Sequence, residues 1–182
     1  MGVVNVHERR FPVPADKVGA LIDALATEDD PLWPRGTWYP IRLDRPLAAG
    51  PVGAAGGHGA IRYRVASYVP GQWVRFRFTR PVGFDGFHEF TVESAQPEGG
   101  GAILRTTLAM RTTGTARLSW PLMWRPMHDA LHEDMMDRAE ENLTGQVQRP
   151  ARHSPYVRLL RGLFFLVRLP RRIRRALAEG KR

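Results

Sequence analysis

From Ile61 to Met110, apolar and polar positions alternate with a period of two in four successive runs. Ile61, Tyr63 and Val65 alternate with Arg62 and Arg64, and Val74, Phe76 and Phe78 alternate with Arg75 and Arg77. His88, Phe90 and Val92 then alternate with Glu89 and Glu93, and Leu104, Leu108 and Met110 share a face with Thr106. Such alternation predicts strands that meet a core on one face and water on the other. Pro70-Gly71, Val82-Gly83 and Gly99-Gly100-Gly101 fall between the runs, where reversals are needed, so the four strands form an antiparallel meander. The outward arginines and glutamates read as cross-strand partners rather than as a binding patch.

Upstream, residues 3–11 are β-branched enough for a strand that Pro12 and Pro14 stop. Residues 15–26 place Val18, Leu21, Ile22 and Leu25 at helical spacing, with Asp16 in the first turn where the helix dipole favours an acid. Residues 37–44 are a plausible second strand, and the glycine-rich stretch 48–59 reads as a loop. Downstream, residues 119–148 predict one long helix, kinked early by Pro121 and Pro126, with Trp124, Met127, Leu131, Met135, Ala139 and Leu143 as its apolar stripe. A helix of about 28 residues would be about 42 Å long, enough to lie across a whole sheet.

Three segments carry a resemblance: FPVPADKV at the entry to the first helix, the YVPGQWVRFRF hairpin, and RPMHDALHEDMMDRAEENL in the long helix. With the order of elements, residues 3–147 resemble the α+β helix-grip fold of the START/Bet v 1-like (SRPBCC) superfamily, the polyketide cyclase and lipid-transfer group. The resemblance implies a curved antiparallel sheet wrapped around the long C-terminal helix, with an elongated apolar cavity between them. Tyr63, Phe76, Phe78, His88, Phe90, Trp124, Met127, His128, Leu131 and Met135 would line it. The same apolar residues could equally form a filled core, and it is the resemblance that favours a cavity.

Charge changes this picture at one end only. The 182 residues sum to +9, but residues 1–148 carry 16 basic and 17 acidic side chains, whereas residues 149–182 carry 11 and 1. The chain is therefore expected to comprise a nearly neutral ligand-binding domain, 1–148, and a basic amphipathic helical tail, 149–182. In the tail, Leu159, Leu163, Phe164 and Leu166 oppose Arg168, Arg171 and Arg172 on a helical projection that Pro170 interrupts. A basic face opposite a Leu/Phe face is the pattern of a helix lying in the membrane interface. An anionic membrane surface is thus the expected partner of the tail, with docking of its apolar face on its own domain or on a partner as the alternative; nucleic acid is not expected, because it would leave the apolar face unexplained. The five-residue run from Leu163 to Val167 is far too short to cross a bilayer.

The N-terminus lacks a signal-peptide pattern, and Val6 stands where myristoylation wants Ser or Thr. Zero cysteines exclude disulfides, thiolate metal sites and cysteine nucleophiles, and fit a reducing cytoplasm. The expected location is cytoplasmic, peripheral at the inner membrane face.

His88 and Tyr63 are the candidate catalytic groups, since each sits on an inward position of an apolar strand face. His128 and His132 stand one helical turn apart, the spacing of a shared metal, but Asp129 beside them fits a partly exposed face and no third ligand follows on the helix. Neither a metal nor a cofactor is expected. The function that follows is a binding or carrier protein for a hydrophobic small molecule or lipid. The alternative is a cyclase- or dehydratase-type enzyme acting on a polyketide-like substrate, with His88 or Tyr63 moving protons.

Overall fold

A computed structural model describes residues 1–95 and 100–168, the side chains of 165–168 excepted. The expectations for Leu166, Arg168, Arg171 and Arg172 as membrane-contacting side chains lie outside the described residues.

The strand β1 (Gly2–Phe11) leads through Pro12 and Pro14 into α1 (Ala15–Asp23). The short β2 (Arg42–Leu43) and β3 (Ala55–His58) precede the meander of β4 (Ile61–Val69), β5 (Trp73–Arg80), β6 (Phe84–Ser94) and β7 (Ala102–Thr112). All seven strands form one antiparallel sheet in the order β1-β7-β6-β5-β4-β3-β2. Register irregularities between Arg62 and Tyr63 and between Val65 and Ser67 bend β4 where the sheet turns toward its short edge. The alternation seen in the sequence sorts the side chains as expected: Tyr63, Val65, Val74, Phe76, Phe90, Leu104, Thr106 and Leu108 are all buried. On the outer face Arg75 meets Glu89 at 2.7 Å, and Arg105 bridges Glu8 and Glu93 at 2.9 and 3.3 Å.

Two expectations for the early chain need correction. Only Arg42 and Leu43 of residues 37–44 form a strand, because Trp33 and Trp38 fold into the core and Pro40 interrupts the run. The supposed loop 48–59 contains β3, and its glycines are what allow it to pair. A Cβ on Gly56 would lie 2.1 Å from the Arg42 carbonyl oxygen, so the strands can approach there only without a side chain.

The long helix is continuous from Ala116 to Thr144 but changes pitch twice. After one α-turn, α2 (Ala116–Ser119), residues Trp120–Trp124 wind as a π-turn before α3 (Arg125–Thr144). Pro121 and Pro126 cannot donate to the helical ladder, which places the irregular turn here. It sets Trp120 and Trp124 on the same side, both edge-on to Phe84 at 5.9 and 5.8 Å. Gly145, in the left-handed region, ends α3. α4 (Pro155–Arg168) then packs back along α3. The His153 ring contacts Asp134 at 2.7 Å, the Ala151 N–H donates to Asp137 at 2.7 Å, and Val157 is buried. The first part of the tail therefore docks on its own domain, while Leu159 and Leu163 remain 59% and 50% exposed.

Candidate functional site

Between the inner face of the sheet and the long helix lies a cavity of about 150 Å³. Its walls are aromatic: Tyr63, Phe76 and Phe78 from β4 and β5, Phe84 and Phe90 from β6, and Trp120 and Trp124 from the π-turn. Trp33, Trp38 and Tyr39 close one side, and Arg161 and Phe164 of α4 stand at the rim. The rim is held by charge as well as by rings. Arg161 lies over the Trp38 ring at 5.0 Å and 3.9 Å from Asp134, and the Trp38 indole N–H donates to Asp134 at 2.7 Å.

The sequence-predicted residues largely converge here. Tyr63, Phe76, Phe78, His88, Phe90, Trp124, Met127, His128 and Leu131 all line the cavity. Met135 lies one turn beyond and is packed in the core. Phe164, expected at a membrane, lines the cavity and faces Trp124 at 6.4 Å. Sequence reasoning missed His58, because a histidine in a glycine-rich stretch carries no periodicity. It also missed Trp33 and Trp38, whose placement depends on an irregular segment. His132 was in view, but on a face that the adjacent charge marked as partly exposed, whereas it is 2% exposed.

The polar end of the cavity is a cluster of imidazoles. His88 stands on β6 opposite Leu108, and His128 and His132 are successive turns of one face of α3. Ring centroids are 4.1 Å apart for His128 and His132, 4.9 Å for His88 and His132, and 5.4 Å for His88 and His128. Burial pushes all three below the ordinary histidine value, and charge on neighbouring histidines, His7 included, pushes the same way, outweighing the opposing pull of Asp129 on His128. They are held as neutral imidazoles. Burial likewise depresses His58 to about 3 and raises the Tyr63 phenol well above its usual value.

Several of these groups have no protein partner. The Tyr63 hydroxyl, His88 Nε2 and both ring nitrogens of His128 are buried and unbonded. His132 Nδ1 contacts the Thr106 hydroxyl at 3.3 Å. Buried polar groups are normally satisfied, so a cavity lined by unsatisfied ones is shaped for something that supplies the partners. Next to it, His7 has both ring nitrogens 3.2 Å from carboxylates, Asp129 and Glu133. Burial depresses His7, but these two carboxylates outweigh it and leave its value raised.

The architecture has close company among solved structures. Norcoclaurine synthase from Thalictrum flavum, in complex with dopamine and hydroxybenzaldehyde, is 12% identical, with 82% of this chain and 90% of that chain covered at a TM-score of 0.58. CalU16 from Micromonospora echinospora is 15% identical over 88% of this chain and 83% of that one, at 0.53. A protein from Thermobifida fusca is 14% identical over 83% and 99%, at 0.59. The fold is Bet v 1-like. What these structures share with the chain is the helix-grip fold, a seven-stranded sheet with a long C-terminal helix packed on it, and a shared fold does not by itself assign a function. No family model and no curated protein matches the chain. Among the described residues no helix is long and apolar enough to cross a membrane.

Proposed function

We propose that the protein binds a compact, largely apolar molecule of one or two rings in the helix-grip cavity, and that the ligand carries a hydrogen-bonding group directed at Tyr63 and the histidines. The observation that supports this most is the joining of an aromatic wall to buried, unpartnered polar atoms in one cavity. A cavity of about this volume admits one benzene-sized ring within its walls and a second toward its open side, so a long lipid chain would require the rim formed by α4 to open. The aromatic compounds held by norcoclaurine synthase belong to the favoured size class.

Four of the five tryptophans, Trp33, Trp38, Trp120 and Trp124, line the cavity, so binding is read from intrinsic fluorescence. Titration with 2-naphthol is expected to quench saturably and to raise the melting temperature. Mass spectrometry of the protein under native conditions would identify co-purifying ligand. Phe76→Trp, which fills the cavity from the sheet side, should abolish the quenching while the far-ultraviolet circular dichroism is retained. A linear, unsaturable response of the wild type would overturn the reading.

A second reading, a cyclase- or dehydratase-type enzyme on a polyketide-like substrate, draws on His88 and Tyr63 standing unpartnered in an apolar site. A polyketide-sized substrate needs more room than about 150 Å³, so this reading also requires movement of α4.

The placing of this domain at an anionic membrane surface, on the cytoplasmic side, belongs to the same proposal. It draws on the exposed Leu159 and Leu163 of α4 and the ten-charge excess of residues 149–182. The Leu159→Glu/Leu163→Glu double variant leaves the docked face of α4 intact. The wild type should float with phosphatidylglycerol vesicles and the double variant should not, and equal recovery of the two proteins would remove the membrane from the proposal.

A further inference from the structure

His88, His128 and His132 present ring nitrogens that all lie within 4.8 Å of one another at the polar end of the cavity. We propose that these three histidines form a site for one divalent first-row transition ion, zinc by chemistry, whose remaining coordination position opens into the aromatic cavity. Three imidazoles are a donor set that suits zinc, and a catalytic-type site of this kind keeps a fourth position for water or a ligand atom. All three histidines line the cavity, so that fourth position faces the space a ligand would enter.

The supporting framework is already present. His128 and His132 are four residues apart on one helix, which sets both rings on one face, and the preceding π-turn and the body of α3 fix that face against the sheet. His88 reaches the pair from β6, so two independent secondary-structure elements converge on one point. Thr106 lies 3.3 Å from Nδ1 of His132, an outer contact that fixes the ring and leaves Nε2 as its ligating atom. Nε2 of His88 and both nitrogens of His128 lack a hydrogen-bond partner. Asp129 Oδ1 lies 3.7 Å behind Nδ1 of His128, where a small approach would give the carboxylate–histidine–metal arrangement and leave Nε2 for the ion. Bonds of about 2.05 Å in a tetrahedral site separate donor nitrogens by about 3.3 Å, so side-chain rotation of an ångström or so closes the set.

A rival grouping, His7, His128 and Asp129, is equally compact but its donors are spent. Both nitrogens of His7 contact carboxylates, and Asp129 accepts from Asn5 at 2.7 Å as well as contacting His7. This grouping therefore reads as a charge network that supports the site from behind rather than as the site.

The inference is independent of which organic molecule fills the cavity, and its test uses the metal alone. Untagged full-length protein, stripped with a chelator and titrated with Co²⁺, should develop visible ligand-field bands that saturate at one equivalent and are bleached by Zn²⁺. X-ray absorption of the cobalt-loaded wild type should count three imidazole ligands, a result that needs no variant to fold. His88→Gln and His132→Gln should each weaken binding by more than about 10-fold, beyond the usual low end of a second-shell loss, whereas His7→Gln should retain stoichiometric binding. Zn²⁺ should also raise the wild-type melting temperature, because it binds the assembled site in preference to the unfolded chain. Absence of cobalt bands in the wild type, fewer than three imidazoles by X-ray absorption, or loss of binding in His7→Gln with retention in His88→Gln would each overturn the assignment.

Discussion

The two flanks of α3 treat polar side chains in opposite ways. Toward β1, the helix presents Asp129, Glu133, Asp137 and Glu140, and the strand answers with Asn5, His7 and Arg9. Arg9 alone reaches Asp137 and Glu140 at 2.8 Å each and Glu133 at 3.5 Å. Toward the cavity, the same helix presents His128 and His132 beside His88 and Tyr63, and most of the polar atoms there are unmatched. The seam leaves Asn5 Oδ1 without a bond, but its charges are mutually satisfied and are explained by holding a helix to a sheet. Polar atoms left without a protein partner are what the proposed ligand would satisfy, and this contrast supports placing the proposed site on the cavity flank of α3.

Removing one member of the matched seam should produce the largest stability effect. Arg9 is 20% exposed, and Asp137 and Glu140 are 17% and 14% exposed, so Arg9→Leu would strand two neighbouring carboxylates with little water to compensate them. The expected loss is about 3 kcal/mol by urea denaturation, at the low end for breaking a buried ion pair because the network retains some solvent. A loss under about 0.5 kcal/mol would mean that the seam is an ordinary surface network, and the contrast with the cavity would fall.

How far this contrast could be read in the sequence differs for its two halves. The sheet and its inward residues followed from alternation, since Tyr63, Phe76 and Phe90 occupy positions that nothing but a buried strand face explains. The acidic seam was hidden in the long helix, because Asp129, Glu133 and Asp137 at helical spacing look the same whether they face water or a strand. The histidine cluster was only half legible. His128 and His132 share a helix and were visible as a pair, but the third ring comes from β6, forty residues earlier, and only strand register brings it there. β3 was missed because local composition argues for a loop wherever glycines gather, whereas here Gly56 is required by the close approach of β2. The docking of Phe164 on the cavity was an alternative that the sequence could not decide, since an apolar helical face does not reveal whether it meets lipid or its own domain.

Acid should expose the contrast from the cavity side. His58, packed 4.8 Å from Trp33, is depressed to about 3 by burial first and then by His128 and Arg62. Its unfolded value is near 6.5, so below that pH the unfolded chain binds a proton that the folded chain refuses. Stability contributed by the neutral ring is therefore present above about pH 6.5 and declines as pH falls toward about 3. Between about pH 6.5 and about pH 5 the decline amounts to roughly 2 kcal/mol for one such group. His58→Gln should make the slope shallower by one group's share in urea titrations at a series of pH values, the remainder coming from His88, His128 and His132, and an unchanged slope would show that His58 is protonated without resistance.

The smallest stability effect is expected where the contrast is sharpest. Tyr63 is 4% exposed and its hydroxyl has no hydrogen-bond partner, so Tyr63→Phe removes an unsatisfied polar atom while keeping the ring that packs on Phe76 at 4.8 Å. Stability should change by less than about 0.5 kcal/mol, or rise, because no intramolecular hydrogen bond is lost. Binding should separate by ligand chemistry: 2-naphthol, which can bond the hydroxyl, should weaken about 5-fold, the equivalent of one ordinary hydrogen bond, while naphthalene should bind equally to both proteins. If Tyr63→Phe instead destabilised the free protein by about 2 kcal/mol, the hydroxyl would already be satisfied by bound water. The cavity would then belong with the matched seam, and an open polar end would no longer distinguish one flank of α3 from the other.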